Sequence, residues 1–327
     1  MQAYEQTRWS YTSPLRNRRS TADMLLRHRL LLLNLHRPLA SPPALAAVSF
    51  WPLSLSAHLT PSTDSPSPSG STVKGSSVPD VAAPGLLRSE LFVPPGVERK
   101  DATAEMLLPG SNIVVGPYAG DAEVKKIEFV KSSARAGDCP KDGRPEFAIL
   151  GRSNVGKSSL INKLARKREF ALTSKKPGKT RLINHFLVNN SWYIVDLPGY
   201  GFANASQSSR TDWSRFTKGY FLNRETLVGV LLLIDASIPP QQVDFDCANW
   251  LGRNNIGLTF VFTKCDKIKG KQPNDKIKHF QDLFSEYYRK SPPPWIMTSS
   301  VTGLGRDELL CHMSQLRNYW DNEDESV

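Results

Sequence analysis

The chain has 327 residues, 39% hydrophobic and 22% charged, with a formal net charge of +11. That length allows one or two domains with a sizeable buried core. The four cysteines, Cys139, Cys247, Cys265 and Cys311, form no C-x-x-C pair, which argues against a disulfide scaffold or a cysteine metal site and for free thiols in a reducing compartment.

Residues 1–80 hold eight Lys/Arg against four Asp/Glu and are rich in Ser, Pro and Leu. An Arg- and Ser-rich, acid-poor start reads as an organellar transit peptide beginning at Met1 or Met24; plain disorder is the alternative, and neither predicts a fold. The Ser/Pro content without an amphipathic Arg helix favours the plastid, with the mitochondrion as the alternative. Apolar runs at Leu30–Leu33 and around Phe50 are broken by Arg27, Arg29, Arg37 and prolines, well short of the roughly 18 residues that a membrane span needs. Residues 60–80 read as a flexible linker. Residues 81–123, with Pro94-Pro95-Gly96 and Pro109-Gly110, read as a mostly extended segment.

From Val124 the pattern tightens into a domain running to residue 320. Ile127–Val130 can form a strand, and Phe147–Leu150 is short and apolar enough for a buried one. Directly after it comes Gly151-Arg152-Ser153-Asn154-Val155-Gly156-Lys157-Ser158, a complete G-x-x-x-x-G-K-[ST] loop. It opens onto Ser159 and onto Leu160, Ile161 and Leu164 at helical spacing, the strand–loop–helix context the motif requires. Its backbone N–H groups, Gly151 through Ser159, can cradle phosphate oxygens at a helix N-terminus. Lys157 can bridge the β- and γ-phosphates, and the Ser158 hydroxyl can ligate Mg²⁺.

Residues 174–181 are polar and turn-prone. Asn184–Val188 and Trp192–Val195 read as a hairpin joined at Asn189-Asn190-Ser191, and the second strand ends in Asp196-Leu197-Pro198-Gly199. An Asp there can reach Mg²⁺ through water, and the Gly199 N–H can meet a γ-phosphate. Val228–Ile234 is apolar throughout, as a central parallel strand should be. A helix follows over 241–254 with Val243, Cys247, Trp250 and Leu251 on one face. Leu258–Phe262 is a buried strand ending in Thr263-Lys264-Cys265-Asp266. A carboxylate accepting both guanine N1–H and N2–H₂ rejects adenine, which has no such donor pair. A helix over 275–289 precedes the last strand, Trp295–Thr298, after which Ser299-Ser300 can offer a backbone N–H to guanine O6. Leu309, Met313, Leu316 and Trp320 stripe a closing helix ahead of an acidic tail, 321–327. Strands alternating with helices predict an α/β fold: a mostly parallel six-stranded sheet with one antiparallel strand and helices on both faces.

The motifs at 151–159, 177–180 (Pro-Gly-Lys-Thr), 196–201 (Asp-Leu-Pro-Gly-Tyr-Gly), 263–266 and 299–300 stand in the order of the EngB (YihA/YsxC) group of GTPases, and residues 124–320 resemble that group in a plant organellar form. The resemblance implies a Ras-like P-loop G domain, GTP/GDP and Mg²⁺, slow intrinsic hydrolysis, and a monomeric switch in large ribosomal subunit assembly. By position, Thr180 would join Ser158 on Mg²⁺ when switch I (171–183) closes on GTP, Lys264 and Asp266 would hold guanine, and 197–212 would be switch II. Tyr200 stands where Ras-type enzymes place the Gln that orients water, so hydrolysis would rest on Mg²⁺, Lys157, Thr180, backbone N–H groups and a partner. In related GTPases an Asn at the Asn154 position helps hold K⁺; a loop-shaping role is the alternative.

The tail's four acids cancel the surplus of residues 1–80, so residues 81–320 carry the whole +11. Lys163, Arg166, Lys167, Arg168, Lys175, Lys176, Lys179 and Arg181 crowd the first helix and switch I. Such a patch suits RNA phosphate, here organellar rRNA; a solvated face is the alternative. Two rival functions remain: a GTP-binding RNA-associated or structural protein without hydrolysis, and a GTPase for tRNA modification or small-subunit maturation.

Overall fold

The computed structural model describes residues 81–83, 86–167, 170–171, 182–200, 217–239, 241–268 and 292–325. The expected leader 1–80, Thr180 with most of the expected switch I, the expected switch II beyond Tyr200, and the helix expected over 275–289 lie outside the described residues.

Two short strands, β1 (Val81–Ala83) and β2 (Leu86–Leu87), pair antiparallel by themselves. The main sheet contains β3 (Ile127–Ser133), β4 (Glu146–Gly151), β5 (Ile183–Val188), β6 (Trp192–Asp196), β7 (Leu227–Asp235), β8 (Leu258–Thr263) and β9 (Trp295–Met297). Their order is β3-β5-β6-β4-β7-β8-β9. The sheet therefore has seven described strands rather than six, with β5 alone running against the rest. The additional strand is β3, which is exposed at five successive positions. With so little apolar surface to bury, its sequence makes a strand without demanding a place in the sheet.

β4 and β7 are buried along their whole length because helices cover both faces. Phe147 and Ile149 of β4 face α1 (Lys157–Leu164) and α3 (Arg306–Glu325), meeting Leu160, Ile161, Leu309 and Met313. Ala148 and Leu150 face α2 (Gln242–Arg253) and the helical stretch 217–223, meeting Phe245, Leu251, Tyr220 and Phe221. Each fully buried Leu or Phe contributes on the order of 1.5–3 kcal/mol. The last turn of α1 is closed by α3, where Arg306 donates to Lys163 O (2.9 Å) and Leu164 O (2.7 Å). α3 runs to Glu325, so most of the expected acidic tail is helix; nothing between Arg306 and Glu325 breaks it, since neither Gly nor Pro occurs there.

Residues 86–122 are docked rather than loosely extended. Ser111 bridges Ile296 antiparallel, Met297 N–H donates to Gly110 O (2.9 Å), and Asn112 N–H donates to Trp295 O (3.4 Å). The Asn112 side chain accepts from Trp295 N–H (2.8 Å) and donates to Pro293 O (3.1 Å). Leu91, Val93, Ala102 and Val114 form a small core of their own above this edge.

Candidate nucleotide site

Parallel pairing brings the ends of β4, β6 and β8 to one edge of the sheet, and open α/β sheets bind ligands outside these carboxyl ends. Past β4 the chain turns and enters α1 at Lys157, with Gly156 as N-cap at φ 114°, a conformation that strains any side chain. The first N–H groups of α1 have no partner within the helix and make an anion-binding terminus. Lys157 folds back over the loop, its Nζ donating to Gly151 O (3.2 Å) and Arg152 O (3.3 Å). Gly199 stands against it: a Cβ there would lie 2.7 Å from Lys157 Nζ and 3.2 Å from Ser153 N. A side chain at 199 would displace the Lys157 ammonium and crowd the phosphate-loop backbone, Gly151 O at 3.1 Å included.

Asp196 ends β6 with its carboxylate buried and its Oδ1 unpartnered among the described residues. Burial pushes its pKa up to about 6, against the pull of Lys157 and Asn184. Burial likewise lowers the Lys157 pKa, and Asp196 opposes that shift. A buried carboxylate oxygen without a partner, with the Ser158 hydroxyl in the first turn of α1, is an oxygen donor set of the kind Mg²⁺ takes. Thr180, the remaining expected ligand, lies outside the described residues.

The base-side loops are tied to the phosphate loop by side chains. Thr263 Oγ1 donates to Val155 O (2.7 Å) and Ile234 O (3.2 Å). Lys264, in the left-handed region at φ 59°, donates from Nζ to Asn154 O (2.9 Å) and Asp235 Oδ2 (2.5 Å). Burial would raise the Asp235 pKa, but hydrogen bonds from Lys264 and Ser237 outweigh it and hold the pKa below its ordinary value. Asp266 is exposed, and its Oδ1 accepts from Ser299 Oγ (2.6 Å). The same Ser299 oxygen accepts from Val301 N–H and Thr302 N–H, both at 3.2 Å, while the Ser299 N–H goes to Leu304 O (3.0 Å). Ser300 comes next, half-buried, and Ser159 is exposed on α1. Asn154 is exposed at φ 64°, its carbonyl held by Lys264, a backbone shape that Asn tolerates well.

Four side chains matter more than their sequence suggests. Asp235 ends an apolar strand as Asp196 does, a visible signal, and it fixes Lys264. The Arg152 guanidinium turns to Asp244 of α2, and Tyr200 OH reaches the same carboxylate. Asp244 carries no motif at all.

A family profile described as "50S ribosome-binding GTPase" matches residues 146–264. A GTP-binding protein of Arabidopsis thaliana is 73% identical over 237 residues, 72% of this chain and 79% of that protein. A probable GTP-binding protein EngB of Christiangramia forsetii is 42% identical over 196 residues, 60% of this chain and 98% of that protein. Among solved structures, that of a probable GTP-binding protein engB aligns at 24% identity with a TM-score of 0.43, covering 53% of this chain and 98% of that one.

Proposed function

This chain belongs to the EngB family of GTP-binding proteins and is a GTPase, and from that premise we propose that it is a nucleotide-operated switch in assembly of an organelle's large ribosomal subunit, with the plastid as its address. The observation that carries the nucleotide part is the meeting of Lys157, Asp196, Gly199 and Asp266 at one sheet edge, with Asp196 Oδ1 buried and unpartnered among the described residues. Lys157 and the first N–H groups of α1 would take the β- and γ-phosphates. Ser158 and, through water, Asp196 would hold Mg²⁺, joined by Thr180; the ion neutralises charge on the phosphate oxygens. Asp266, aimed by Ser299, would accept from guanine N1–H and N2–H₂, and with the Ser299 N–H already used, Ser300 N–H would serve O6. Tyr200 cannot orient water, since its hydroxyl is buried and donated to Asp244. Slow hydrolysis that a partner completes is the consequence, with Asn154 offered as the K⁺-binding residue.

The ribosomal part draws support from the description of the matching profile and from the surface beside switch I. Phe129 is 53% exposed on the edge strand β3, and Lys125, Lys126 and Lys131 sit on or next to that strand. Lys167 Nζ stands 4.8 Å over the Phe170 ring. Lysines along an edge strand that also bears an open aromatic ring suit single-stranded RNA, phosphate to charge and base to ring.

The test is sedimentation of the tagged protein from plastid and mitochondrial lysates, with GDP or with a non-hydrolysable GTP analogue. Co-migration with the large subunit in plastid lysate, only with the analogue, is the expected result. Protein that stays at the top of both gradients removes the assembly reading. Single-turnover hydrolysis on the same preparations, in K⁺ and in Na⁺, tests Asn154: faster turnover in K⁺ should vanish in Asn154→Ala.

A further inference from the structure

The segment Asp196–Tyr200 is held more firmly than a switch segment needs to be. Leu197 N–H donates to Ile149 O (3.2 Å), Tyr200 N–H to Gly151 O (3.3 Å), and Ser153 N–H to Tyr200 O (3.2 Å). Residue 200 is thus bonded to the backbone on both sides of Arg152. Its side chain is 2% exposed, and the hydroxyl donates to Asp244 Oδ1 at 2.8 Å. Arg152 Nε donates to both oxygens of the same carboxylate at 3.1 Å, and Asp244 is 1% exposed. One buried acid therefore clamps the second residue of the phosphate loop to the residue after Gly199.

Burying an ionised Asp is costly unless it is paired and fully hydrogen-bonded, and an apolar residue on this face of α2 would cost nothing comparable. The clamp spans two ligand-contacting loops, so its effect falls on the gap in which Gly199 sits. In Ras-type enzymes the residue after this glycine is a catalytic Gln; here it is an anchor.

We propose that Asp244 is a positioning residue for the γ-phosphate contact. Acting through Tyr200, it fixes the Gly199 N–H against the phosphate loop before nucleotide arrives and favours GTP over GDP. The inference rests on the reading of Gly199 as the γ-phosphate contact.

Binding of GDP and of GMPPNP, both with Mg²⁺, to the full chain by titration calorimetry tests it, using wild type, Tyr200→Phe and Asp244→Ala. Tyr200→Phe removes one oxygen and keeps the packing. GMPPNP is expected to bind about tenfold more weakly to each variant while GDP changes less than about twofold, the size of one well-placed hydrogen bond. The double variant should show no further loss, because both changes break the same link. Equal losses for the two nucleotides, or no loss for either, overturn the inference. Lys157→Ala separates its failure from that of the site: if this variant binds both nucleotides as wild type does, the phosphate-site reading itself falls.

Discussion

Asp196 shows how a residue proposed to serve the site can be poor for the fold. Its folded pKa of about 6 lies above the ordinary 3.8 because burial opposes its charge. The fold therefore binds this proton more tightly than the unfolded chain does. Its contribution to stability is greatest below the ordinary value and is lost as pH rises through about 6, a cost of about 3 kcal/mol at pH 8 without metal. Mg²⁺ needs the ionised form, so Mg²⁺-dependent nucleotide affinity should fall about tenfold per pH unit below 6. Asp196→Asn is expected to raise the melting temperature of the nucleotide-free protein at pH 8, by about 1–3 kcal/mol of stability, while losing the added stabilisation from Mg·GDP. Thermal melts across pH 5–8, with and without Mg·GDP, check both halves. A variant less stable than wild type at pH 8 would show that the carboxylate is no burden on the fold.

At the scale of elements, the opposite end of the sheet carries a second buried charge. Glu146 opens β4 fully buried, accepting from Arg224 Nε (2.9 Å), from Arg224 Nη2 and from Tyr220 OH (2.7 Å). It staples the helical stretch 217–223 to the base of the central strand. Burial would raise its pKa, but the hydrogen bonds and charge of Arg224, with the His185 ring 3.6 Å away, outweigh that and bring it down to about 2. The stability from this pair is thus complete above the ordinary carboxylate value of 4.5 and is lost as pH falls through about 2. Glu146→Ala leaves Arg224 and Tyr220 without their acceptor and should cost about 3–5 kcal/mol in urea denaturation at pH 7, with GDP affinity little changed. The contrast with the phosphate loop explains which features are legible in the sequence. The loop, its strand and its helix are contiguous, so a motif and an apolar period reveal them together. Glu146 and Arg224 are 78 residues apart, and Arg152 and Asp244 are 92 apart. A charge at the head of an apolar strand gives no sign of its partner, and an Asp in a helix whose apolar face is already accounted for gives none either.

For the molecule as a whole, the same limit applies to the segment ahead of the G domain. Pro and Gly pairs make residues 81–123 read as mostly extended chain, which foresees neither the 3₁₀ turns at Arg88–Glu90, Arg99–Asp101 and Ala104–Met106 nor the attachment of the segment. Its hydrogen-bond partners, residues 293–297, lie some 180 positions away. The match to the plant relative runs over 237 residues and that to the bacterial EngB protein over 196, so likeness to the plant protein extends past the length of a bacterial domain. In this chain the segment pairs with the outer edge of β9 and buries Leu91, Phe92, Val93, Ile113 and Val114. Five such side chains at about 1.5–3 kcal/mol each rival the whole stability of a typical domain. A chain starting at residue 81 is therefore expected to melt with the full-length protein. One starting at residue 124 should melt at least about 10 °C lower, or aggregate through the unpaired backbone of β9. Differential scanning fluorimetry and gel filtration of the two truncations decide it. If the shorter one melts like the longer and stays monomeric, the segment is not part of the fold. If it does not, the segment belongs to the folded unit, because the edge of β9 needs Gly110, Ser111 and Asn112 paired against it.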